Sequence, residues 1–272
     1  MALSRRTRRC LVLLLVSLAL LPLGMATDPI GGYCSESGTS DAEINGKARR
    51  RSINSVVSDL VAKAASNGGF ATSSAGKGNN VFYGLAQCRG DVSASDCKAC
   101  LVEAANYTLS FCHYASDSRM WYDYCFMRYK NANFIGQVDT RVDASVRIRK
   151  EENMDNPKTF QKAVAKTMDK VIAQAVATAG SAALGRVKEK YTTFVNIYGL
   201  SQCTRDLAPL ACAQCLSTAV SNFGDICNAA EGCQIEYSTC WVRYEIYPFY
   251  FPLMADGRAT TDMTKYAKNV VH

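Results

Sequence analysis

The spacing of apolar residues predicts a helix, a loop and a strand in the first part of the chain. Apolar residues recur at helical spacing over 53–64, and Gly68 ends the predicted helix. The stretch 71–80 is rich in Ser, Gly and Asn and predicts a loop, whereas 81–87 predicts a strand.

A second helix and further strands are predicted downstream. The helix covers 97–111, with Ser95 or Asp96 as its N-terminal cap. Alternation predicts one strand over 121–129 and the start of another at 134–135. Both faces of 121–129 are apolar, so we expect one face to pack on the helices and the other on a neighbouring domain. The alternative is an aromatic platform for sugar rings.

The second half of the chain repeats this order of elements. The predicted elements are a strand over 142–149, a helix from Pro157 to Gly180, a strand over 191–200, a helix over 212–223 and strand residues over 235–250. Each half therefore has strands segregated from two helices. This order predicts an α+β fold with an antiparallel sheet in each of two tandem domains.

The cysteines repeat with the same spacing in both halves. The series Cys88-x8-Cys97-x2-Cys100-x11-Cys112-x12-Cys125 recurs without a gap as Cys203, Cys212, Cys215, Cys227 and Cys240. Neighbouring residues repeat as well, so we interpret the chain as a duplicated domain.

The two C-x2-C pairs have three interpretations. A zinc site needs four ligands of matched geometry, and the two pairs are more than a hundred residues apart. A redox pair needs an activated thiol at a helix start, usually within a βαβ unit, which the predicted elements do not form. Structural disulfides are therefore favoured, and we predict no metal and no cofactor.

Residues 1–26 have the pattern of a secretory signal. Four arginines precede an apolar run over 11–21, and small residues at 24–26 suit a cleavage site. The run is shorter than the about 20 apolar residues that a spanning helix needs, so we predict cleavage and no membrane span afterwards. Removal of Cys10 leaves twelve cysteines, an even number, as full pairing outside the cell requires.

The predicted organisation is a signal peptide at 1–26, a first domain at 27–138, a second domain at 139–253 and a polar tail at 254–272. Loss of the four leader arginines lowers the formal net charge from +7 to +3. This excess is too small to indicate nucleic-acid binding.

The cysteine series resembles a known plant domain. Tyr-Gly-Leu-x-Gln before Cys88 and Phe-Met-Arg-Tyr after Cys125 are similar to the ginkbilobin-homologous (salt stress response/antifungal) domain of cysteine-rich repeat secretory proteins. The resemblance covers about 34–251. It implies two helices packed on a five-stranded antiparallel sheet in each domain.

The resemblance also implies a disulfide pairing. In the first domain the pairs would be Cys34–Cys112, Cys88–Cys97 and Cys100–Cys125. The second domain lacks an opening cysteine and has Cys233 instead. The pairs Cys203–Cys212, Cys215–Cys240 and Cys227–Cys233 would leave no thiol over.

A small carbohydrate site is implied by the same resemblance. The family site has an Asn, an Arg and a Glu. In the first domain these positions are occupied by Ser35, Arg119 and Lys130. In the second domain the Arg and Glu positions are occupied by Gln234 and Glu245. Neither copy is an intact family site, so we expect weak mannose binding. In the first domain Lys130 replaces the acid that would accept hydrogen bonds from sugar hydroxyls. This domain therefore differs most from the family site.

The sequence contains no motif of a known catalytic site, and we predict no enzyme. Three functions are considered: recognition of extracellular carbohydrate of mannose type, binding of cell-surface or apoplastic proteins, and thiol redox activity. We expect a non-catalytic recognition protein that binds carbohydrate or protein partners in stress or defence responses outside the cell, with a protein-interaction module without sugar binding and a thiol-redox protein as the alternatives. Asn106 begins an N-glycosylation sequon, Asn-Tyr-Thr, within a predicted helix.

Overall fold

The computed structural model describes residues 28–35 and 43–253. These residues form two domains, and each has one five-stranded antiparallel sheet with helices packed against it. The fold class predicted from the sequence is therefore confirmed. The predicted signal peptide, with Cys10, and the predicted polar tail lie outside the described residues.

Domain 1 contains two long helices and five strands. In chain order they are β1 (Gly31–Cys34), α1 (Glu43–Ser66), β2 (Phe70–Ala75), β3 (Phe82–Cys88), α2 (Ala94–Phe111), β4 (Asp117–Trp121) and β5 (Cys125–Lys130). The order of strands across the sheet is β1-β4-β5-β3-β2.

Domain 2 repeats this topology after a connection without regular structure. Its elements are β6 (Val146–Arg149), α3 (Pro157–Ala177), β7 (Leu184–Lys190), β8 (Asn196–Cys203), α4 (Pro209–Ser221), the short α5 (Phe223–Ile226), β9 (Gly232–Glu236) and β10 (Cys240–Glu245). The strand order is β6-β9-β10-β8-β7, the same as in domain 1.

Several local predictions were wrong. Residues 71–75 belong to β2 rather than to a loop, and β7 was missed. Both strands lie at the edge of a sheet, where one side faces solvent. Polar and small residues are tolerated there, so the alternation of apolar and polar residues that predicts a half-buried strand is missing. The single strand predicted over 121–129 is the β4–β5 hairpin, and 134–135 is not a strand. The cap of α2 is Ser93, whose side chain accepts a hydrogen bond from the Asp96 N–H.

The two faces of β5 pack as the alternation predicted. Cys125, Met127 and Tyr129 belong to the core formed with α1 and α2. Phe126, on the opposite face, packs with Val146 of domain 2 in a separate cluster. One face therefore packs on the helices and the other contributes to the contact between domains.

Six disulfides join the twelve described cysteines. Five bonds are pairs that the family resemblance implies: Cys34–Cys112, Cys88–Cys97, Cys100–Cys125, Cys203–Cys212 and Cys215–Cys240. The sixth is Cys227–Cys233, the pair expected because it leaves no thiol over in domain 2. In each C-x2-C motif the two cysteines bind different partners. Neither motif therefore forms the bond that a redox pair would make and break.

Two equivalent glutamines connect the domains with the same pattern of hydrogen bonds. In each case the side chain donates to a cysteine carbonyl of the other domain and accepts from the backbone N–H two residues further on. The bonds are Gln87 Nε2 to the Cys203 carbonyl (2.8 Å), the Arg205 N–H to Gln87 Oε1 (2.8 Å), Gln202 Nε2 to the Cys88 carbonyl (3.5 Å) and the Gly90 N–H to Gln202 Oε1 (3.0 Å). The two domains are thus related by an approximate twofold axis.

The first strands of the two domains approach each other closely beside this contact. A Cβ atom on Gly31 of β1 would lie 2.3 Å from Cγ2 of Val146 of β6, so only glycine fits there. The Trp121 Nε1–H donates to the Tyr237 carbonyl across the same boundary at 3.2 Å. The clefts described next flank this boundary.

Candidate ligand clefts of the two domains

The three candidate residues of domain 1 meet at one residue, Asp117. The Ser35 hydroxyl accepts a hydrogen bond from the Asp117 N–H at 3.0 Å. Arg119 donates to both carboxylate oxygens, from Nη2 at 2.8 Å and from Nε at 3.1 Å. The Lys130 ammonium lies 3.8 Å from the same carboxylate. The structure therefore brings Ser35, Arg119 and Lys130 together, around an acid that the sequence analysis did not single out.

Arg119 is engaged on every side by other protein groups. Its side chain is fully buried, and Nη1 lies 2.9 Å from the Asp139 carboxylate and 2.6 Å from the Ser238 hydroxyl of domain 2. The ring of Tyr33 lies 5.1 Å from the guanidinium carbon. Arg119 therefore holds strand β4, Asp139 and domain 2 together and offers no open donor to a ligand.

A second arginine, Arg128, lies directly opposite Arg119 on β5. Its Nη2 is 3.0 Å from Asp139, and Phe134 stacks 4.1 Å from its guanidinium carbon. The side chain is almost completely buried, and its Nε and Nη1 have no hydrogen-bond partner among the described residues. Burial and the like charge of Arg119 lower the pKa of Arg128 to about 10.

Asp139 neutralises part of this charge. Burial alone would raise the pKa of its carboxyl, but the guanidinium groups of Arg119 and Arg128 outweigh burial and hold that pKa below its ordinary value. Asp139 belongs to the connection between the domains, and its N–H donates to the Thr239 hydroxyl at 3.0 Å. The connection is thereby fixed to both domains.

An open cleft of about 520 Å³ lies in front of these groups in domain 1. We call it the domain 1 cleft. Its wall is formed by the end of β5 and the start of the connection, and its lining residues with polar side chains are Arg128, Lys130, Asn133, Gln137, Asp139, Thr140 and Arg141.

In domain 2 the acid lies on the other strand of the equivalent pair. Asp117 of β4 faces Lys130 of β5 in domain 1, whereas Gly232 of β9 faces Glu245 of β10 in domain 2. A Cβ atom on Gly232 would lie 1.7 Å from Glu245 Oε2, so the glycine makes the room that the acid occupies. The two domains therefore hold charges of opposite sign at the end of the fifth strand.

Within the described ranges, Glu245 is paired through one of its two oxygens. Arg243 donates from Nε to Oε1 at 2.9 Å, and its Nη2 lies at the same distance. Oε2 is buried and has no hydrogen-bond partner among the described residues. Burial raises the pKa of Glu245 above its ordinary value, although Arg243 acts in the opposite direction.

Gln234 and Glu245 line a cleft of about 210 Å³ that we call the domain 2 cleft. Gln234 is opposite Arg243 in the β9–β10 register. Asp123 of domain 1 closes one side of the cleft and lies 3.4 Å from Arg243 Nη1. The structure thus places the two candidate residues of domain 2 in one cleft that both domains line.

A smaller space of about 20 Å³ between the domains is lined by Asp123 and Glu236, together with Arg89 and Arg243. Glu236 is the equivalent of Trp121 in the duplicated domain. Burial and the nearby Asp123 raise the pKa of Glu236 to about 8. A carboxyl in this position is stable as the neutral acid.

We expect replacement of Glu236→Gln to stabilise the protein at alkaline pH. The folded protein favours the neutral carboxyl of Glu236, since burial raises its pKa. The side chain therefore stabilises the folded state most below its ordinary pKa of 4.5, and this contribution to the free energy of unfolding is lost as pH rises through about 8. The variant should melt at the temperature of the unmodified protein near pH 4 and above it near pH 8. Melting curves across this range test the prediction, with Glu152→Gln on an exposed loop as control. A difference that is constant with pH would contradict it.

Other candidate features are placed as follows. Among the described residues there is no cluster of three or more His, Cys, Asp and Glu side chains able to hold a metal ion. In the same part of the chain, no helix is long and apolar enough to cross a membrane. Asn106 is exposed on α2, whereas Thr108 of its sequon is buried, and glycosylation stays a prediction.

The structure is a tandem of two domains of one fold, each with three internal disulfides, and sequence comparison assigns its family. The salt stress response/antifungal family matches residues 33–132 and 147–247. The protein belongs to this family, as the cysteine spacing predicted.

Relatives share nearly the full length of the chain. Cysteine-rich repeat secretory protein 55 of Arabidopsis thaliana is 42% identical over 238 residues, which cover 87% of this chain and 89% of the relative. The antimicrobial ginkbilobin-2-like protein of Castanea crenata is 34% identical, over 87% of this chain and 94% of the relative. These two relatives are named as a secretory protein and an antimicrobial protein.

A solved structure has the same tandem arrangement. The tandem DUF26 ectodomain of the Arabidopsis thaliana receptor-like protein PDLP8 superimposes with a TM-score of 0.65 at 24% identity, over 81% of this chain and 98% of that one. This likeness supports the fold alone.

Proposed function

We propose that this protein is a secreted, non-catalytic recognition protein that binds a neutral carbohydrate in the domain 2 cleft. It acts in the apoplast, in stress or defence responses. The observation that carries the proposal is the Glu245 carboxyl in the wall of an open cleft, because its Oε2 is a buried acceptor without a hydrogen-bond partner among the described residues. A buried acceptor of this kind gains free energy when a ligand supplies the missing hydrogen bond.

The cleft has the groups that sugar hydroxyls require. Glu245 accepts hydrogen bonds, the Gln234 amide both donates and accepts, and the exposed Lys150 ammonium donates. Gln234 lacks the charged, two-pronged donor that an arginine would supply at this position. We therefore propose weak binding of a neutral saccharide rather than tight binding of mannose.

The absence of catalysis is part of the proposal. His113 is the one histidine in the described ranges, and it makes no hydrogen bond to a serine or a carboxylate there. A hydrolase of the Ser-His-Asp type needs such an oriented histidine. The described cysteines are all in disulfides, which disfavours the thiol-redox alternative.

Binding of a glycan array by the mature protein tests the carbohydrate class, and titration calorimetry of the glycans retained tests the cleft. We expect Glu245→Gln to weaken binding about tenfold or more, because one charge-assisted hydrogen bond contributes about 1.5–3 kcal/mol. Glu151→Gln, on an exposed loop outside the cleft, is the matched control and should leave affinity unchanged.

Two results would overturn the carbohydrate proposal. One is an array without any retained glycan, and the other is equal affinity of Glu245→Gln and the unmodified protein. Melting curves of both variants show whether they fold. A partner recovered from extracellular fluid in the absence of glycan binding would support the second candidate, a protein-interaction module.

A further inference from the structure

We propose that the domain 1 cleft is a second binding site, for an oxyanion such as a carboxylate or a phosphate group. The proposal goes beyond the neutral ligand of domain 2 and does not depend on it. It starts from the charge at the end of β5, where Lys130 stands in the place that Glu245 has in domain 2. An ammonium cannot accept a hydrogen bond from a hydroxyl, but it binds an anion well.

The charge in and behind this cleft is positive. Four cations, Arg119, Arg128, Lys130 and Arg141, face two buried or nearly buried acids, Asp117 and Asp139. A third acid, Asp143, is largely exposed and lies 4.0 Å from Arg141, so that one positive charge remains even when it is included.

The acids are already used by the arginines behind the cleft. Arg119 lies within 3 Å of an oxygen of Asp117 and of Asp139, and Arg128 lies 3.0 Å from Asp139. The Lys130 ammonium and the Arg141 guanidinium do not reach hydrogen-bond distance of these carboxylates, since their shortest separations are 3.8 and 3.6 Å. The two cations nearest to solvent therefore lie farther from these two acids than the buried arginines do.

The distances also allow one ligand group to contact both exposed cations. Lys130 Nζ and Arg141 Nη2 each lie 3.8 Å from the same atom, Asp117 Oδ2, so their separation is at most twice that distance. A single carboxylate or phosphate group with an N–H···O bond of about 2.8 Å at each end spans such a gap.

A buried cation behind the cleft points to the same ligand class. Arg128 lines the cleft, is almost completely buried, and has two nitrogen atoms without a hydrogen-bond partner in the part of the chain that the structure describes. The lowered pKa of Arg128 is consistent with a positive charge that its surroundings compensate only in part. An anion in the cleft would supply the missing compensation. The amides of Asn133 and Gln137 provide further donors.

The experiment uses the mature protein and three probes: tetragalacturonate, inorganic phosphate and a neutral glucose tetrasaccharide. Calorimetry at low salt should show binding of tetragalacturonate, of phosphate or of both, and no binding of the neutral probe in this cleft. The first two probes distinguish a carboxylate-bearing saccharide from a free phosphate. Affinity should fall as sodium chloride is raised.

The variants locate the site. Lys130→Gln and Arg141→Gln should each weaken binding about tenfold, and the double replacement should abolish it. Lys98→Gln removes the same charge from an exposed position of α2 and should leave binding unchanged. Both cations of the cleft are partly exposed, so we expect these variants to fold, as melting curves would show.

The proposal is overturned if neither anion binds, if the double replacement keeps its affinity, or if Lys98→Gln weakens binding as much as Lys130→Gln. The last result would indicate attraction by overall charge. Glu245→Gln separates this site from the domain 2 cleft, because it should leave anion binding intact while it weakens binding of the neutral saccharide.

Discussion

Replacement of Asp117→Asn should lower the free energy of unfolding by about 3–5 kcal/mol, because it leaves buried positive charges without compensation. Asp117 is almost completely buried and accepts two hydrogen bonds from the fully buried Arg119. Arg128, buried opposite Arg119, lies 3.7 Å from the same carboxylate. Asparagine keeps the shape of the side chain but removes its charge.

Thermal melts measure this effect, and for a chain of this size we expect a decrease of roughly 6–20 °C. Asp143→Asn is the matched control, since that acid is 66% exposed and lies 4.0 Å from Arg141. Loss of an exposed ion pair should cost less than about 1 kcal/mol. Equal melting temperatures for the two variants would show that the arginines find other compensation.

Loss of the disulfide Cys34–Cys112 should destabilise the protein more than loss of Cys227–Cys233. The first bond joins residues 78 positions apart and the second joins residues 6 positions apart. The chain-entropy relation gives about 2 kcal/mol more for the longer loop. The two bonds are the point at which the disulfide patterns of the two domains differ.

The comparison uses the double replacements Cys34→Ser/Cys112→Ser and Cys227→Ser/Cys233→Ser, so that no free thiol is left in either variant. Urea denaturation gives the free energy of unfolding for each, with the unmodified protein as reference. A larger loss of unfolding free energy in the Cys227/Cys233 variant would refute the prediction. It would indicate that the short loop closed by this bond stabilises domain 2 more than its length predicts.

The sequence predicted the fold best where one periodic pattern decided the structure. The helix around Ile53 has a continuous apolar stripe, and Pro157 marks the start of its equivalent in domain 2. Edge strands β2 and β7 were missed because one side of an edge strand faces solvent, and their Ser, Lys and Glu residues satisfy that side.

The candidate site was only half visible in the sequence. Spacing from the cysteines located Arg119 and Lys130, but the partner that gathers them, Asp117, belongs to no motif. Asp117 could have been found by comparing the two copies of the domain, because the equivalent position in domain 2 is Gly232. The burial of Arg119 depends on Asp139 from the connection and on Ser238 from domain 2, and neither contact follows from local sequence.

The reciprocal bonds of Gln87 and Gln202 bear on how two copies of one fold can come to differ in the charge of equivalent clefts. An interface of this kind, in which equivalent residues of both halves meet, is the isologous contact of a homodimer. In a dimer of identical subunits every substitution occurs at both sites. Joining the two copies in one polypeptide removes that constraint and keeps each half at high effective concentration for the other. A lysine could therefore become established at position 130 while a glutamate remained at position 245.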